Sequence, residues 1–322
     1  MRLCAKRSNV RTAGCGLLLA IVTLASAIRD CQGQNSRVAR GPSIFDEPPH
    51  AMNCSDRPAP LPPGEHMFMS FSPQAPYART RLDTVTLTLR EVPALTIASQ
   101  PVNRIQIAGG IQDHWTLHLC AMGEGNTAEE ANRYMQNISM WRTGGLLTLK
   151  DTDARGLVGG KGTLHVEAPA DAPVTVHSDG GVSVYRMAGP VRITASMAVI
   201  ANSSGLVDAS ASQIFFAGSQ GSVVLNASWD IDMKFNAQHF QGELHAYAVR
   251  KVHALFPPGF QTPFSVVVNR SKNFVCRADF CSKIKKTREN SLYIFTYGAM
   301  ANASERMNLR SENGQVSLET MP

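Results

Sequence analysis

The chain has 322 residues and a formal net charge of +6, of which residues 1–27 contribute four basic residues and no acidic one. Without that segment the net charge is about +2 (6 − 4), so overall basicity does not indicate a nucleic-acid-binding surface. The roughly 240 residues after position 80 are enough for one folded domain with a sizeable core.

The N-terminus has the pattern of an export signal. Gly16–Leu24 is apolar and Ala25–Ala27 offers small residues for cleavage. The apolar run is shorter than the ~20 residues that span a bilayer, so we expect cleavage near Ala27 and no transmembrane segment in the mature chain. Cys15 precedes the apolar run and Cys31 lacks small residues before it, which argues against lipidation. The mature protein is therefore predicted to be extracytoplasmic: periplasmic, on the cell surface or secreted. The basic residues before the apolar run are Arg2, Lys6, Arg7 and Arg11.

Residues 28–80 contain nine of the 18 prolines, as in DRPAPLPPGE and SPQAPY, and have no sustained apolar period. Such a segment cannot bury enough apolar surface to offset its ordering entropy. We predict a Pro-rich disordered linker over 28–80 and one domain over 81–322.

Residues 81–150 predict a small α+β cap at the start of that domain. Short alternating runs, such as Thr84–Leu89 and Trp115–Leu119, indicate strands. Thr127 precedes Glu130 by three residues, as in a capping box, and begins a predicted short helix. Such a cap would cover the open end of a stack of strands. The apolar face of the predicted helix is Ala131, Tyr134, Met135 and Ile138.

Residues 151–322 predict all-β structure built from short repeated units. A pair of apolar residues two positions apart, followed by a turn rich in Gly, Ser, Asp or Asn, recurs eight times at steps of 7 to 9 residues. This step leaves room for a strand and a tight turn but for no helix, and indicates either a β-solenoid or a tight meander. The units start at Val174, Val182, Val191, Val199, Val207, Ile214, Val223 and Ile231.

The repeat is interrupted over roughly Gln238–Ala303 and returns near Asn313–Gly314, a strong hairpin or corner signal. The interruption is interpreted either as a rung with an insertion or as a ligand-binding excursion. It holds a basic cluster that is read either as a solvated loop or as a contact for anionic lipid or polysaccharide. The cluster is Lys283, Lys285, Lys286 and Arg288.

Five cysteines remain after the predicted leader, and an exported protein meets oxidising conditions. Cys276 and Cys281 are predicted to form a disulfide that closes a small loop. Cys54 and Cys120 form a weaker second candidate pair, which would leave Cys31 over. As zinc ligands, Cys276 and Cys281 lack a second pair at usable spacing.

No catalytic, cofactor-binding or metal-ligating residue is predicted. Recognisable hydrolase, metalloprotease and nucleotide-binding motifs are missing from the sequence. Asp179, Asp208 and Asp230 are the only starting points for an enzyme or a calcium site. Turn chemistry is their simpler explanation, because Asp side chains bond to backbone amides at corners.

The run from Val174 through Pro257–Phe260 to Asn313–Gly314 resembles the bacterial "putative adhesin" or toastrack β-strand-repeat family, a domain of unknown function related to auto-transporter adhesin heads. The resemblance rests on Gly-punctuated strands, a Pro-Pro-Gly-hydrophobic strand and a closing Asn-Gly rung. It implies an exported single-stranded β-solenoid. The loop between Cys276 and Cys281 and the Pro-rich spacer depart from the family pattern.

The function implied is a noncatalytic module for adhesion, scaffolding or partner binding, with an envelope protein or a surface glycan as partner and without a cofactor. Self-association through the ends of the solenoid is also expected, because strand edges can pair with another chain. Two alternatives are an envelope-stress sensor that acts through a partner and a β-helix carbohydrate-active enzyme. The enzyme would need carboxylates that converge on one face.

Overall fold

The computed structural model describes residue 54 and residues 77–99, 103–151, 159–300 and 305–321. The predicted signal peptide and most of the predicted linker lie outside these residues. The described chain is mostly β, which confirms the predicted class. Its elements are β1 (Tyr77–Thr88), β2 (Leu95–Ser99), β3 (Asn103–Gly110), β4 (His114–Gly125), α1 (Ala128–Asn137), β5 (Ile138–Thr143), β6 (Leu146–Asp151), β7 (Gly160–Pro169), β8 (Val174–Ser178), β9 (Gly181–Tyr185), β10 (Val191–Ala201), β11 (Val207–Ala217), β12 (Gly221–Lys234), β13 (Gly242–Ala248), β14 (Lys251–Phe256), β15 (Phe264–Val268), β16 (Phe274–Arg277), β17 (Lys285–Glu289), β18 (Leu292–Tyr297), β19 (Arg306–Ser311) and β20 (Gln315–Thr320).

The strands are arranged in two columns joined by β10, β11 and β12, each long enough to pair in both. The first column runs in the order β5, β6, β2, β8, β10, β11, β12, β13, β19, β15, β18, β17. The second runs β1, β4, β7, β3, β9, β10, β11, β12, β14, β20, β16. Pairing is parallel in the interior and antiparallel at β1, β4, β5, β17 and β18.

The register places four of the eight predicted repeat starts, Val174, Val191, Val207 and Val223, in line in the first column. Alternate residues face inwards from both columns and form one buried core. This shared core is what the alternation in the sequence encodes.

One predicted repeat position is wrong. In the second column Ala198, not Val199, lies in line with Val182 and Ile214. Eight residues separate Val174 on β8 from Val182 on β9, because a turn lies between these two strands. Only seven residues separate the corresponding positions of the next layer, Val191 and Ala198, because β10 runs through both columns without a turn. Val199 is buried on the opposite face, in a small separate cluster with Tyr185, Ala201 and Ala217.

The order of strands in the stack differs from chain order at both ends. β2 and β3 lie between the strand pairs β6/β7 and β8/β9. β19 and β20 lie between β13/β14 and β15/β16. The predicted interruption therefore supplies two ordinary layers of the stack as well as the β17–β18 hairpin. Asn313–Gly314 is a corner between the columns, since β19 and β20 do not pair with each other.

Three glycines at a spacing of sixteen residues, Gly189, Gly205 and Gly221, form the corner that leads into successive layers. A Cβ added at Gly205 would lie 2.2 Å from the carbonyl oxygen of Ala188. At Gly189 the carbonyl of Asp171 would be equally close. The layers approach so closely here that only glycine fits.

The predicted cap helix is present. The Thr127 hydroxyl accepts a hydrogen bond from the Glu130 backbone N–H at 3.1 Å, and the Glu130 carboxylate accepts one from the Asn126 N–H. The helix packs on β4, where a Cβ at Gly123 would lie 2.0 Å from the Ala131 carbonyl oxygen. Ile138, predicted as the end of its apolar face, is instead the first residue of β5 and is buried.

Two disulfides are present among the described residues. Cys276 is bonded to Cys281 across a short loop, and Cys54 is bonded to Cys120 on β4. The second bond ties residue 54, within the predicted linker, to the sheet. β1 begins at Tyr77, four residues before the predicted domain start.

Candidate functional site

The three aspartates considered as catalytic candidates lie apart in the fold. Asp208 is on the first column, with its carboxylate 3.5 Å from Arg192 Nε, whereas Asp230 is on the second column, 4.0 Å from Arg250 Nε. Asp179 lies in the turn between β8 and β9. Within the described ranges no three His, Cys, Asp or Glu side chains are placed to hold a metal ion.

The outer face of the first column carries a line of polar side chains that we call the polar row. Each member lies opposite the next across adjacent strands, from β8 to β19. Strand spacing is ~4.8 Å, so the row presents one side chain at about that interval. Its members are His177, Thr194, Ser210, Asn226, Tyr247 and Arg310.

At the β8 end, the polar row runs into a groove of about 370 Å³ over β2, β6, β8 and β10. Its lining residues are small or polar apart from Leu149, and they include two charged side chains of opposite sign, Lys150 and Asp179. Asp179 therefore lies in the groove, and among the described residues no second carboxylate lines the groove beside it. The lining residues are Ala98, Ser99, Thr148, Leu149, Lys150, His177, Ser178, Asp179 and Thr194.

Trp141 stands beside this groove on β5. It lies directly opposite Thr148, a groove residue, and 63% of its surface is exposed. Its indole N–H donates to the Ser139 hydroxyl at 2.9 Å, and the Lys150 ammonium lies 5.8 Å from its ring centre. These contacts hold a large apolar ring in a fixed orientation at the surface.

Tyr247 lies farther along the polar row and is hydrogen-bonded through its hydroxyl to the Glu312 carboxylate. This hydrogen bond is the main reason why the pKa of the Tyr247 phenol is raised above its ordinary value. The Arg310 guanidinium lies 5.7 Å from the same ring.

The far end of the stack is strongly basic. We call residues 270–289 the basic end; they include β16 of the second column and β17 of the first. All seven of its lysines and arginines are exposed, as is every residue of β17. The Lys286 ammonium lies 5.0 Å from the Tyr293 ring centre and 5.9 Å from that of Phe295. Arg288 lies 5.4 Å from the Tyr293 ring. The predicted basic cluster is therefore strand, not loop, from Lys285 onwards.

No sequence motif predicts the cluster of charged side chains on the outer face of the second column. His253 Nδ1 lies 3.2 Å from Asp232 and its Nε2 lies 3.9 Å from Glu319, which Arg277 also approaches. The residues come from four strands of the second column, so only the pairing unites them. These side chains are partly exposed, and their ion pairs link neighbouring strands of the second column.

No family model matches the chain. No curated protein matches it either. No helix in the described part of the chain combines the length and the apolar composition needed to cross a membrane.

Solved structures similar to this chain include three bacterial proteins. A "putative cell adhesion protein" from Clostridium sporogenes has a TM-score of 0.31 and 6% identity, covering 76% of this chain and all of its own. A "putative adhesin" from Bacteroides fragilis has a TM-score of 0.26 and 11% identity, covering 77% of this chain and 99% of its own. A "putative adhesin" from Parabacteroides merdae has a TM-score of 0.28 and 8% identity, covering 75% of this chain and 97% of its own. Their names are those of the family that the sequence pattern resembles. Because each TM-score is below 0.5, nothing about binding or activity is carried over from them.

Proposed function

We propose that this chain is an exported, non-enzymatic β-solenoid module that binds a surface glycan along its polar row. The observation that supports this most directly is the exposed Trp141 beside a groove walled by hydroxyl-bearing side chains. The stacked parallel layers supply a rigid scaffold for that surface. Residues 1–27 act as a cleaved leader, the segment between residue 27 and β1 as a spacer, and the chain from β1 onwards as the binding domain.

A glycan suits this surface because a sugar ring combines an apolar C–H face with a rim of hydroxyl groups. Trp141 offers a flat apolar platform, and Thr148 and Thr194 offer donors and acceptors beside it. The ~4.8 Å repeat of the polar row is comparable to the length of one sugar ring, so successive rings of an extended polymer meet successive strands.

A binding role is favoured over hydrolysis because a glycosidase of the usual type needs two carboxylates that flank one bond. Asp179 is alone in the groove, and Asp208 and Asp230 lie on different columns. An oxidising, extracytoplasmic location is supported by the leader pattern and by the two disulfides.

The test is a glycan array followed by titration calorimetry with Trp141→Ala and Trp229→Ala. Trp229 is a matched control, because it is 41% exposed and also has a cation, Arg250, 6.0 Å from its ring. We expect Trp141→Ala to weaken binding at least tenfold, as loss of an aromatic anchor that the ligand covers does, and Trp229→Ala to leave the affinity within about twofold.

Equal effects of the two tryptophan substitutions would contradict the proposed site. Release of reducing ends from a bound glycan, lost on substitution of Asp179, Asp208 or Asp230 by Ala, would contradict the non-enzymatic assignment.

A further inference from the structure

Positive charge in this protein is concentrated at one end of the stack. The basic end contains seven lysines and arginines and two acidic residues, a net charge of +5 (7 − 2). Since the chain after residue 27 has a net charge of about +2, everything outside the basic end sums to about −3 (2 − 5). A segregation of this kind creates a directed electrostatic field.

The two acidic residues offset only part of this charge. The Asp279 carboxylate accepts a hydrogen bond from the Gly259 N–H at 2.9 Å and one from the Thr320 hydroxyl at 3.5 Å. Glu289 is the last residue of β17 and is exposed, and Arg277 lies 3.7 Å from Glu319 on β20. The exposed cations of the basic end still outnumber its carboxylates by seven to two.

Several of these cations are held in place before any partner arrives. β17 is hydrogen-bonded to β18 along its whole length, which fixes the backbone that carries Lys285, Lys286 and Arg288. Tyr293 and Phe295 lie beneath Lys286, and Tyr293 beneath Arg288. Fixed positions lower the entropy cost of contact with a partner.

The cations are spread over three kinds of structure rather than arranged along a cleft. Arg270 precedes one 3₁₀ turn (Ser271–Asn273) and Lys272 lies within it. Lys283 is the last residue of a second 3₁₀ turn (Cys281–Lys283), next to the Cys276–Cys281 disulfide. The remaining cations lie on β16 and β17. The groove described above is on the other end of the first column. A surface spread in this way suits a planar partner with many closely spaced negative charges better than a single polymer chain.

We infer that the basic end is a second interaction surface, which docks the protein on an anionic phospholipid bilayer. Each Lys or Arg near such a surface contributes an attraction that falls off within a Debye length. Seven strand spacings of ~4.8 Å, roughly 34 Å, separate β10 at the groove from β17. Docking through the basic end therefore leaves the groove and Trp141 away from the bilayer and open to a glycan.

The inference is tested by co-sedimentation of the full chain, produced through an oxidising export pathway, with lipid vesicles. Vesicles of phosphatidylcholine alone are compared with vesicles containing one quarter phosphatidylglycerol, at low and high salt. The test variant is Lys285→Gln/Lys286→Gln/Arg288→Gln. The control variant, Arg133→Gln/Arg142→Gln/Arg192→Gln, removes the same charge from exposed arginines elsewhere.

We expect binding to the anionic vesicles only, weakened by salt, and reduced roughly 100-fold in the test variant at about fivefold per charge. The control variant should bind within a few-fold of the unmodified chain. Circular dichroism of both variants verifies that each is folded.

Equal binding to neutral vesicles, or an equal loss in the control variant, overturns the inference. So does tight binding of dextran sulfate without binding of anionic vesicles, which would identify a soluble polyanion as the partner. Because the vesicle arm contains no carbohydrate and leaves Trp141 unchanged, its result is independent of the Trp141 experiment.

Discussion

Gly205→Ala tests the close approach of successive layers on which the proposed scaffold depends. The added Cβ would lie 2.2 Å from the Ala188 carbonyl oxygen and 2.4 Å from that of Gly189, both backbone atoms. Ordinary contact begins at 3.4 Å, so the shortfall is about 1.2 Å (3.4 − 2.2) and cannot be relieved by rotating a side chain. The layers must separate locally.

Overpacking of this kind costs about 1–3 kcal/mol, and contact with rigid backbone places it near the upper figure. Replacing Gly by Ala also reduces the entropy of the unfolded chain, which stabilises by about 0.4–1 kcal/mol. The expected net destabilisation is about 2 kcal/mol. For a domain of this size it lowers Tm by roughly 4–8 °C.

The control is Gly181→Ala, at the start of β9. Its Cβ would meet only the flexible end of Met197, at 3.6 Å. We expect Gly181→Ala to be neutral or slightly stabilising in thermal unfolding followed by circular dichroism. If Gly205→Ala melts with or above the unmodified protein, the layers are not packed as described.

Three further predictions concern the core, the disulfides and the polar row. Phe256 is fully buried and stacks on Phe235 with ring centres 5.0 Å apart. Phe256→Ala should lower the free energy of unfolding in urea by about 3–5 kcal/mol, and Phe256→Leu should lower it clearly less. Equal losses in the two variants would contradict the aromatic packing. Cys54–Cys120 closes a much longer loop than Cys276–Cys281, with sequence separations of 66 and 5. From loop entropy, Cys54→Ser/Cys120→Ser should lower the free energy of unfolding by about 4 kcal/mol, and Cys276→Ser/Cys281→Ser should lower it by about 2 kcal/mol. A larger loss in the second variant would contradict this reasoning. Because the folded-state pKa of Tyr247 is raised, its hydrogen bond stabilises the protein below the ordinary tyrosine pKa of 10.0, and that contribution is lost as pH rises through the folded value. Glu312→Gln should therefore move one phenol to lower pH in an ultraviolet titration, while Glu243→Gln should not.

Much of the local structure was predictable because it depends on residues near each other in sequence. Alternation around Val174 and Val207 marks the buried face of a strand wherever that strand pairs. Thr127 and Glu130 specify the start of α1 through their own hydrogen bonds. The Gly189, Gly205 and Gly221 series could have revealed the sixteen-residue layer, twice the eight-residue step that the apolar pairs suggested.

The candidate site was less predictable because its members come from distant segments. Trp141 meets the groove only because β6 pairs with β2, and β2 in turn with β8. The cluster around His253 likewise draws on strands that chain order separates. The basic cluster was visible in the sequence, but its position at the end of a column was not.

The sequence by itself determined that short strands would bury one face, where the cap helix would begin, and that Cys276 and Cys281 were near enough to pair. Only the tertiary structure decided the order of the layers, with β2/β3 and β19/β20 placed between strands that are not their sequence neighbours. The reason is physical: every strand edge offers the same backbone donors and acceptors, and alternation specifies a face but not a neighbour. The packing of whole layers selects each strand's neighbour, and that selection places the groove near one end of the stack and the basic end at the other.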